Sequence, residues 1–426
     1  MQIVKSFKKA FYFPIAYYFR FFAKIRLKKW NPQIIVITGS SGKTSLLSLI
    51  ESQLGNKAKY SHHANSAFGI PFNILGLERK KFSKLEWILF FIKAPFLAFA
   101  KSFTENLYIV EADCDRPNEG EFLSTLLKPE VVLWISSSRT HSMNYVNKLD
   151  ANEYNNVEKV IAYEYGYFIE NATGIVITNG DSDLINNELK RTNVKIIKVV
   201  KDEMRDYQLL DTNTVFRTNR KDYYLNCISP KDLFYSIRMT EILMNYLNLP
   251  FDNHFSQFIP PPGRSSILRG IKNTTIIDST YNNNLLAATI MLQVLSDYPK
   301  KPKWLVIGDM LEQGIYEKEE HEKLGILIAS YKNAFDKIIL IGQAVTKYTY
   351  PKLKNLDKKV EKFLAPNEVL NFLKKNIQGK EVILFKGAGG RLLEGIVEQL
   401  LADKSDAKKL ARRGQHWQHK RQKIGL

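Results

Sequence analysis

Cysteine is scarce in this chain of 426 residues, which contains only Cys114 and Cys227. Two cysteines alone indicate neither a disulfide framework nor a cysteine-based zinc site. The composition therefore excludes a disulfide-rich secreted scaffold. It fits a reducing, cytoplasmic setting.

Acidic residues are also in deficit, because 43 Asp and Glu oppose 62 Lys and Arg and leave a formal net charge of +19. Such an excess favours an anionic partner, either a membrane surface or a nucleic acid. Basic residues concentrate at both ends of the chain, and no base-recognition fold is visible between them. We therefore expect no nucleic acid partner and favour an anionic membrane surface.

The two most apolar segments lack a run long enough to span a bilayer. In residues 1–31 the uncharged stretch 10–19 stops at Arg20, and no small-residue cleavage site follows. This basic, aromatic segment predicts either a helix lying among lipid headgroups or a helix packed on the following domain. Residues 85–103 are broken by Lys93 and Pro95, which favours a surface hairpin able to dip into a membrane, or a packed pair of helices.

What the chain does contain is a phosphate loop. The apolar run 34–37 leads into TGSSGKT at 38–44, and a helical pattern follows. In such a loop, backbone N–H groups and the helix N-terminus close round phosphates, Lys43 reaches the β- and γ-phosphates, and the Thr44 hydroxyl can hold Mg²⁺. The alternative is a Gly-Ser turn that joins a strand to a helix and binds no phosphate. The nucleotide-binding candidates are Gly39, Ser40, Ser41, Gly42, Lys43 and Thr44.

Strand and helix patterns alternate after this loop. Strands are predicted at 106–112, 131–135 and 174–178, with a helix over 157–169, which indicates a doubly wound, mostly parallel sheet. Glu111 ends the first of these strands, where a nucleotide-bound metal is usually held. It is therefore a candidate metal ligand, although a loop-capping role would also fit.

A Pro-Gly linker at 259–264 marks a domain boundary. Beyond it, predicted strands at 275–277, 304–307, 337–341 and 382–385 alternate with helical stretches. The predicted divisions are an N-terminal segment 1–31, a central ATP-binding domain 32–258, a C-terminal domain 259–402 and a basic tail 403–426.

Taken in order, these motifs resemble the Mur ligase family of ATP-dependent amide-bond ligases, and within it the branch that adds D-alanyl-D-alanine to a muramyl tripeptide. The resemblance runs from about residue 32 to 402 and rests on TGSSGKT, NSAFGIPFNILGL (65–77), VEADCDRPNEGE (110–121), GRSSILRG with IIDSTYNNN (263–284), VIGDMLEQG (306–314) with His321, and FKGAGGRLLEGIVEQL (385–400). It implies an α/β fold: a P-loop, doubly wound central domain and a smaller, Rossmann-like C-terminal domain.

The family's chemistry follows from the same resemblance. ATP would phosphorylate a substrate carboxylate, and an amine would attack the acyl phosphate to give an amide, ADP and phosphate. Lys43, with Mg²⁺ held by Thr44 and Glu111, would neutralise the γ-phosphate. The other positions that match family site residues are His141 (catalysis and a second metal), Arg264, Asp278 and Asn282 (nucleotide), and Asn65, Lys386 and Arg391 (substrates).

Three departures set this chain apart from the family pattern. Only about 31 residues precede the first strand, so the usual uridine-nucleotide domain is not expected and a lipid-linked precursor at the inner membrane face is an alternative substrate. Tyr165 occupies the position of a lysine that the family often carboxylates to bridge metals, with Glu164 or Lys159 as possible substitutes. Serines at 136–138 replace a stretch that usually carries an asparagine.

These departures leave two further hypotheses for the function. One is a degenerate ATP-binding scaffold of a wall-synthesis complex, and the other is a subunit that modifies a lipid-linked precursor.

Overall fold

The computed structural model describes residues 11–62, 64–79, 84–145 and 156–425. Residues 1–10 of the predicted N-terminal segment lie outside the described residues. The chain forms two compact units, of which the first contains residues up to 139, 144–200 and 238–249. The second contains residues 140–143, 201–237 and the chain from 250 onward.

The first unit is built on a six-stranded sheet in which every paired strand is parallel, with the order β2-β3-β1-β4-β5-β6. The strands are β1 (Gln33–Gly39), β2 (Ala58–Tyr60), β3 (Leu107–Ala112), β4 (Val131–Ser136), β5 (Ile175–Asn179) and β6 (Lys195–Val199). Central strands read as apolar runs because both faces of such a sheet are covered. The predicted doubly wound parallel sheet is confirmed.

Helices separate these strands along the chain, as crossover connections between parallel strands require. A helix before the first strand, α1 (Tyr12–Trp30), is followed by the connecting helices α2 (Lys43–Leu54), α3 (Gly69–Leu75), α4 (Lys84–Phe99), α5 (Glu119–Leu127), α6 (Val157–Glu170) and α7 (Asp183–Glu188). The prediction that residues 85–103 divide into a hairpin or into two packed helices is wrong, because α4 is a single helix that contains Pro95. Within the described ranges, no helix is long and apolar enough to cross a membrane.

The N-terminal helix α1 packs on the first unit along one face. Phe19 is fully buried, and its ring lies 4.8 Å from that of Phe72 on α3. Arg26 donates to the carbonyl of Leu75 at 2.7 Å, and the Trp30 indole donates to the carbonyl of Glu105 at 2.7 Å. The interpretation of this segment as a packed helix is therefore confirmed for this face.

The second unit contains another six-stranded sheet, with the order β10-β11-β15-β12-β13-β14. Its strands are β10 (Ser266–Arg269), β11 (Thr275–Ser279), β12 (Lys303–Gly308), β13 (Lys337–Ile341), β14 (Val360–Phe363) and β15 (Val382–Lys386). A separate three-stranded antiparallel sheet precedes it in the chain and consists of β7 (Met204–Leu209), β8 (Thr214–Thr218) and β9 (Asp222–Leu225). Only the edge pair β10–β11 is antiparallel.

Alternate residues of the central strands in this sheet enter two separate cores. On β15, Val382 and Leu384 belong to one cluster, whereas Ile383 and Phe385 belong to the other. This is the period of two expected for a sheet with helices on both faces. The remaining helices are α8 (Leu233–Tyr246), α9 (Leu285–Asp297), α10 (Glu317–Ser330), α11 (Pro366–Asn376), α12 (Leu393–Leu400) and α13 (Gln415–Gln422).

The basic tail after residue 402 packs back on the second unit. Leu410 is only 2% exposed and joins the cluster that contains Phe385. Arg413 makes a bidentate contact with Glu398 on α12 at 2.5 and 2.9 Å. The tail therefore contributes apolar and ionic contacts to this unit.

Replacement of Leu410 by alanine tests this docking. The cavity should lower the free energy of unfolding of the second unit by about 2–5 kcal/mol, the usual range for a buried leucine. Urea unfolding of the full chain measures the change, and the exposed neighbour Lys408→Ala is the control. Equal midpoints for the two variants would show that the tail is not packed in solution.

Candidate active site

The phosphate loop joins β1 to α2, and its two glycines have backbone angles that other residues rarely adopt. Gly39 has φ +130° and Gly42 has φ +87°. A Cβ atom at Gly39 would also lie 2.5 Å from the carbonyl oxygen of Ser136. Because α2 begins at Lys43, its first free N–H groups and its positive dipole end lie at the loop, where an anion is stabilised.

The serine run at the end of β4 holds this loop in place. The backbone N–H of Ser40 donates to the carbonyl of Ser136 at 3.1 Å, and that of Ser41 donates to the Ser136 hydroxyl at 2.9 Å. The Ser136 hydroxyl donates in turn to the Ser41 carbonyl at 2.8 Å, while the hydroxyls of Ser40 and Ser138 are 2.9 Å apart. The serines that depart from the family pattern are thus structural partners of the loop.

Lys43 is buried beside carboxylates. Its ammonium Nζ lies 2.7 Å from Oδ2 of Asp113 and donates to the carbonyl of Gly39. Burial works against the charge, but Asp113 and Glu111 outweigh it and hold the pKa of Lys43 above its usual value. Lys43 is therefore cationic and positioned at the start of the helix, as a phosphate ligand must be.

Thr44 and Glu111 meet at the same end of the sheet. The Thr44 hydroxyl donates to Oε2 of Glu111 at 2.8 Å, and the backbone N–H of Glu111 donates to the hydroxyl of Ser61 at 2.9 Å. A hydroxyl and a carboxylate are hard oxygen donors of the kind that Mg²⁺ takes together with waters and phosphate oxygens. The pair therefore fits the predicted metal.

Asp113 connects Lys43 to Tyr165, the residue at the position of the family lysine. The Tyr165 hydroxyl on α6 donates to Oδ1 of Asp113 at 2.7 Å, and the backbone N–H of Cys114 donates to the same oxygen at 3.0 Å. Tyr165 is fully buried. Burial, followed by the charge of Asp113, raises its pKa far above the usual value, so the hydroxyl keeps its proton.

Glu164 and Lys159, the suggested substitutes for the lysine, make other contacts. Glu164 accepts from the backbone N–H groups of Asn118 and Gly120 at 2.8 and 3.2 Å, which fixes the start of α5. The backbone N–H of Lys159 donates to the Asn156 side chain that caps α6. Asp113 was not predicted as a site residue, although it lies in the acidic stretch that follows Glu111.

Asn65 lies next to this stretch, since its carbonyl accepts from the N–H of Asp113 at 2.8 Å. His141 belongs to the second unit, where its Nδ1 is 2.8 Å from Oε2 of Glu312. Thr44 and Glu111 lie in the first unit. The three predicted metal ligands are therefore not brought together within one unit.

The second unit brings Asp278, Asn282 and Lys386 together at the ends of β11 and β15. Asp278 is fully buried, and its Oδ1 accepts from the hydroxyl of Thr280 at 2.7 Å. Lys386 is 3% exposed and donates from Nζ to the carbonyl of Asn282. Burial, followed by the positive charge of Arg264, lowers the pKa of Lys386 to about 7.

Arg264 and Arg391 have partners in the same unit. The Arg264 guanidinium lies 4.4 Å from the centre of the Tyr281 ring, and Arg391 forms an ion pair with the buried Asp309. An unpredicted group also reaches this region, because the tail residue Arg412 donates to the carbonyl of Thr280 at 3.3 Å. Nothing in the local composition of the tail distinguishes Arg412 from the other basic residues around it.

The chain is similar to proteins of known family. Residues 263–389 match the family described as Mur ligase, glutamate ligase domain. Relatives of that kind also match over 88–89% of the chain. With this similarity over most of its length, the chain is an ATP-dependent peptide ligase of the Mur type.

The relatives themselves carry a narrower description. UDP-N-acetylmuramoyl-tripeptide–D-alanyl-D-alanine ligase of Bacillus subtilis is 24% identical over 400 residues, covering 89% of this chain and 78% of the relative. The protein of the same name from Escherichia coli is 22% identical over 395 residues, covering 86% and 76%. The MurF ligase of Thermotoga maritima, solved in complex with ADP, shares the fold with a TM-score of 0.73 at 20% identity, covering 92% and 84%.

Tyr165→Phe tests the contact with Asp113. The variant removes a hydrogen bond to a buried carboxylate, worth about 1.5–3 kcal/mol, and leaves the ring in place. We expect turnover to fall about tenfold or more. The matched control is Tyr246→Phe, which removes a hydroxyl that donates to Glu130 at 2.8 Å in the same unit. Equal turnover in the two variants would contradict a positioning role for Tyr165.

Proposed function

We propose that the chain joins D-alanyl-D-alanine to a muramyl tripeptide with the consumption of ATP. The observation that carries the proposal is the intact constellation of phosphate loop, Lys43, Thr44 and Glu111 at one end of the first sheet. The names of the full-length relatives supply the two substrates.

The proposed reaction has two steps. A carboxylate oxygen of the acceptor attacks the γ-phosphorus, the bond to the bridging oxygen breaks, and ADP leaves. The amine nitrogen then attacks the acyl carbon, phosphate leaves, and the nitrogen releases a proton. Lys43 and the N-terminus of α2 stabilise the negative charge that shifts to the phosphate oxygens in the first step.

Thr44 and Glu111 are the residues that would hold Mg²⁺. The ion would supply charge neutralisation at the phosphates. Asp113 contributes a further carboxylate beside Lys43, held in position by the Tyr165 hydroxyl and the Cys114 N–H. We infer that this carboxylate orients Lys43, and we propose His141 as a ligand of a second metal ion.

The second unit supplies the remaining groups. In the proposal, Arg264, Asp278 and Asn282 contact the nucleotide, and Lys386 and Arg391 bind the carboxylate of the dipeptide. Asn65 contacts the acceptor. Burial, followed by the charge of Arg264, lowers the pKa of Lys386 to about 7, so a bound anion would favour the protonated form of Lys386 and would gain a cationic partner there.

The carrier of the muramyl peptide is proposed as either the uridine nucleotide of the relatives or a lipid. A lipid carrier would place the reaction in the cytoplasm at the inner face of the membrane. The aromatic and basic N-terminal helix supports this location.

The proposal is tested by the release of ADP and phosphate. Release should require both the muramyl tripeptide and D-alanyl-D-alanine, and Lys43→Ala should reduce it at least about a hundredfold. Lys57→Ala, in the short 3-10 helix Gly55–Lys57 that follows α2, changes an exposed lysine; it is the matched control and should retain full activity.

Two results would contradict the proposal. Release that is indifferent to both substrates would exclude the ligase reaction, and ATP binding without turnover under any acceptor would indicate a scaffold. Because Lys43→Ala leaves Asp113 without its cation, thermal unfolding is measured in parallel. The double variant Lys43→Ala/Asp113→Asn restores charge balance if the single variant is unstable.

A pH dependence tests Lys386 separately. An anion bound beside Lys386 favours its protonated form, so binding should take up a proton above pH 7 and the affinity should fall as pH rises. Calorimetry with N-acetyl-D-alanyl-D-alanine, which lacks the titrating amine, measures this uptake. Lys386→Met should abolish it, and a pH-independent affinity of the wild-type protein would refute the assignment.

A further inference from the structure

One face of α4 is apolar and exposed. Its large side chains recur at the three- and four-residue spacing that places them along one stripe of a helix. Each of them is more than half exposed: Leu85, Ile88, Leu89, Ile92, Phe96 and Phe99. A contiguous apolar surface of this kind marks an interaction site on a folded protein. We call these six residues the α4 stripe.

The opposite face of α4 is anchored. Phe90, Ala94 and Ala98 are buried, and the Phe91 ring lies 4.9 Å from that of Phe19 on α1. The Tyr18 hydroxyl of α1 also donates to the carbonyl of Phe91 at 2.7 Å. The α4 stripe is therefore the outer surface of a packed helix pair.

The neighbouring helix α1 adds positive charge to this surface. From residue 11 to 31 it contains no acidic residue, whereas Lys24, Lys28 and Lys29 are exposed. Lys29 donates to the carbonyl of Phe99 at 3.1 Å, so the basic end of α1 adjoins the end of the α4 stripe. Lys93 is exposed on α4 itself, within the span of the stripe.

This distribution of positive charge indicates which partner binds the α4 stripe. A second copy docked through the same face would bring the lysines of both molecules together, which opposes association. An anionic lipid surface neutralises them while its acyl region accepts the apolar side chains, as in helices that lie in a membrane interface. The exposed Phe21 on α1 adds an aromatic side chain suited to that interface.

We propose that the α4 stripe and the exposed lysines of α1 dock this protein on an anionic membrane surface. The helices lie on the membrane, with the α4 stripe below the headgroups and Lys24 and Lys28 among the phosphates. This inference adds a defined surface to the location proposed above. It does not require turnover, so its failure is distinguishable from failure of the ligase proposal.

Vesicle sedimentation of the full chain tests the inference. One set of vesicles contains phosphatidylcholine alone, and the other contains equal parts of phosphatidylcholine and phosphatidylglycerol. Wild-type protein should sediment with the anionic vesicles, and Ile92→Asp/Phe96→Asp should weaken binding about tenfold or more. The matched control is Ile326→Asp, because Ile326 is 60% exposed in the second unit and Ile92 is 57% exposed.

A charge variant provides an independent measurement. Lys24→Glu/Lys28→Glu should also weaken binding to the anionic vesicles, and added salt should weaken the binding of the wild type. Wild-type protein that sediments with neither set of vesicles would overturn the inference, as would stripe variants that bind like the control. A dimer in light scattering that Ile92→Asp dissociates, without vesicle binding, would identify the stripe as a contact between copies.

Discussion

The buried ion pair between Lys43 and Asp113 is the interaction on which the phosphate loop and the proposed nucleotide site depend. Both side chains are 10% exposed or less, and their charged atoms are 2.7 Å apart. A buried pair is stable only if its remaining hydrogen-bonding capacity is satisfied. Gly39 provides an acceptor for Lys43, and the Tyr165 hydroxyl and Cys114 N–H provide donors for Asp113. This ion pair and these hydrogen bonds therefore link the phosphate loop, the end of β3 and α6.

This arrangement gives a physical meaning to the departures from the family pattern. A tyrosine at position 165 cannot form a carbamate, but its hydroxyl supports a carboxylate supplied by the neighbouring strand end. The serines at 136–138 hold the loop backbone. The altered positions thus retain contacts with the nucleotide loop, which agrees better with a working ligase than with a degenerate scaffold.

Much of the fold could be predicted from the sequence, because strands such as 131–136 and 382–386 are apolar runs and local periodicity determines them. The loop, Lys43, Thr44 and Glu111 could be predicted for a similar reason, since neighbours in sequence build them. The contacts of Asp113 with Tyr165 and of Arg412 with Thr280 join residues 52 and 132 positions apart, so only the folded chain brings them together. The single helix at 84–99 was missed because Pro95 usually interrupts a helix.

The fate of the acceptor's carboxylate oxygen tests the central claim most directly. If a muramyl tripeptide labelled with heavy oxygen in its terminal carboxylate is used, an acyl-phosphate reaction transfers one labelled oxygen to the phosphate released. We predict one heavy oxygen in the phosphate for each amide formed, detected by mass spectrometry. Phosphate that carries oxygen only from water would show that ATP hydrolysis is not coupled to amide formation, and would contradict the account.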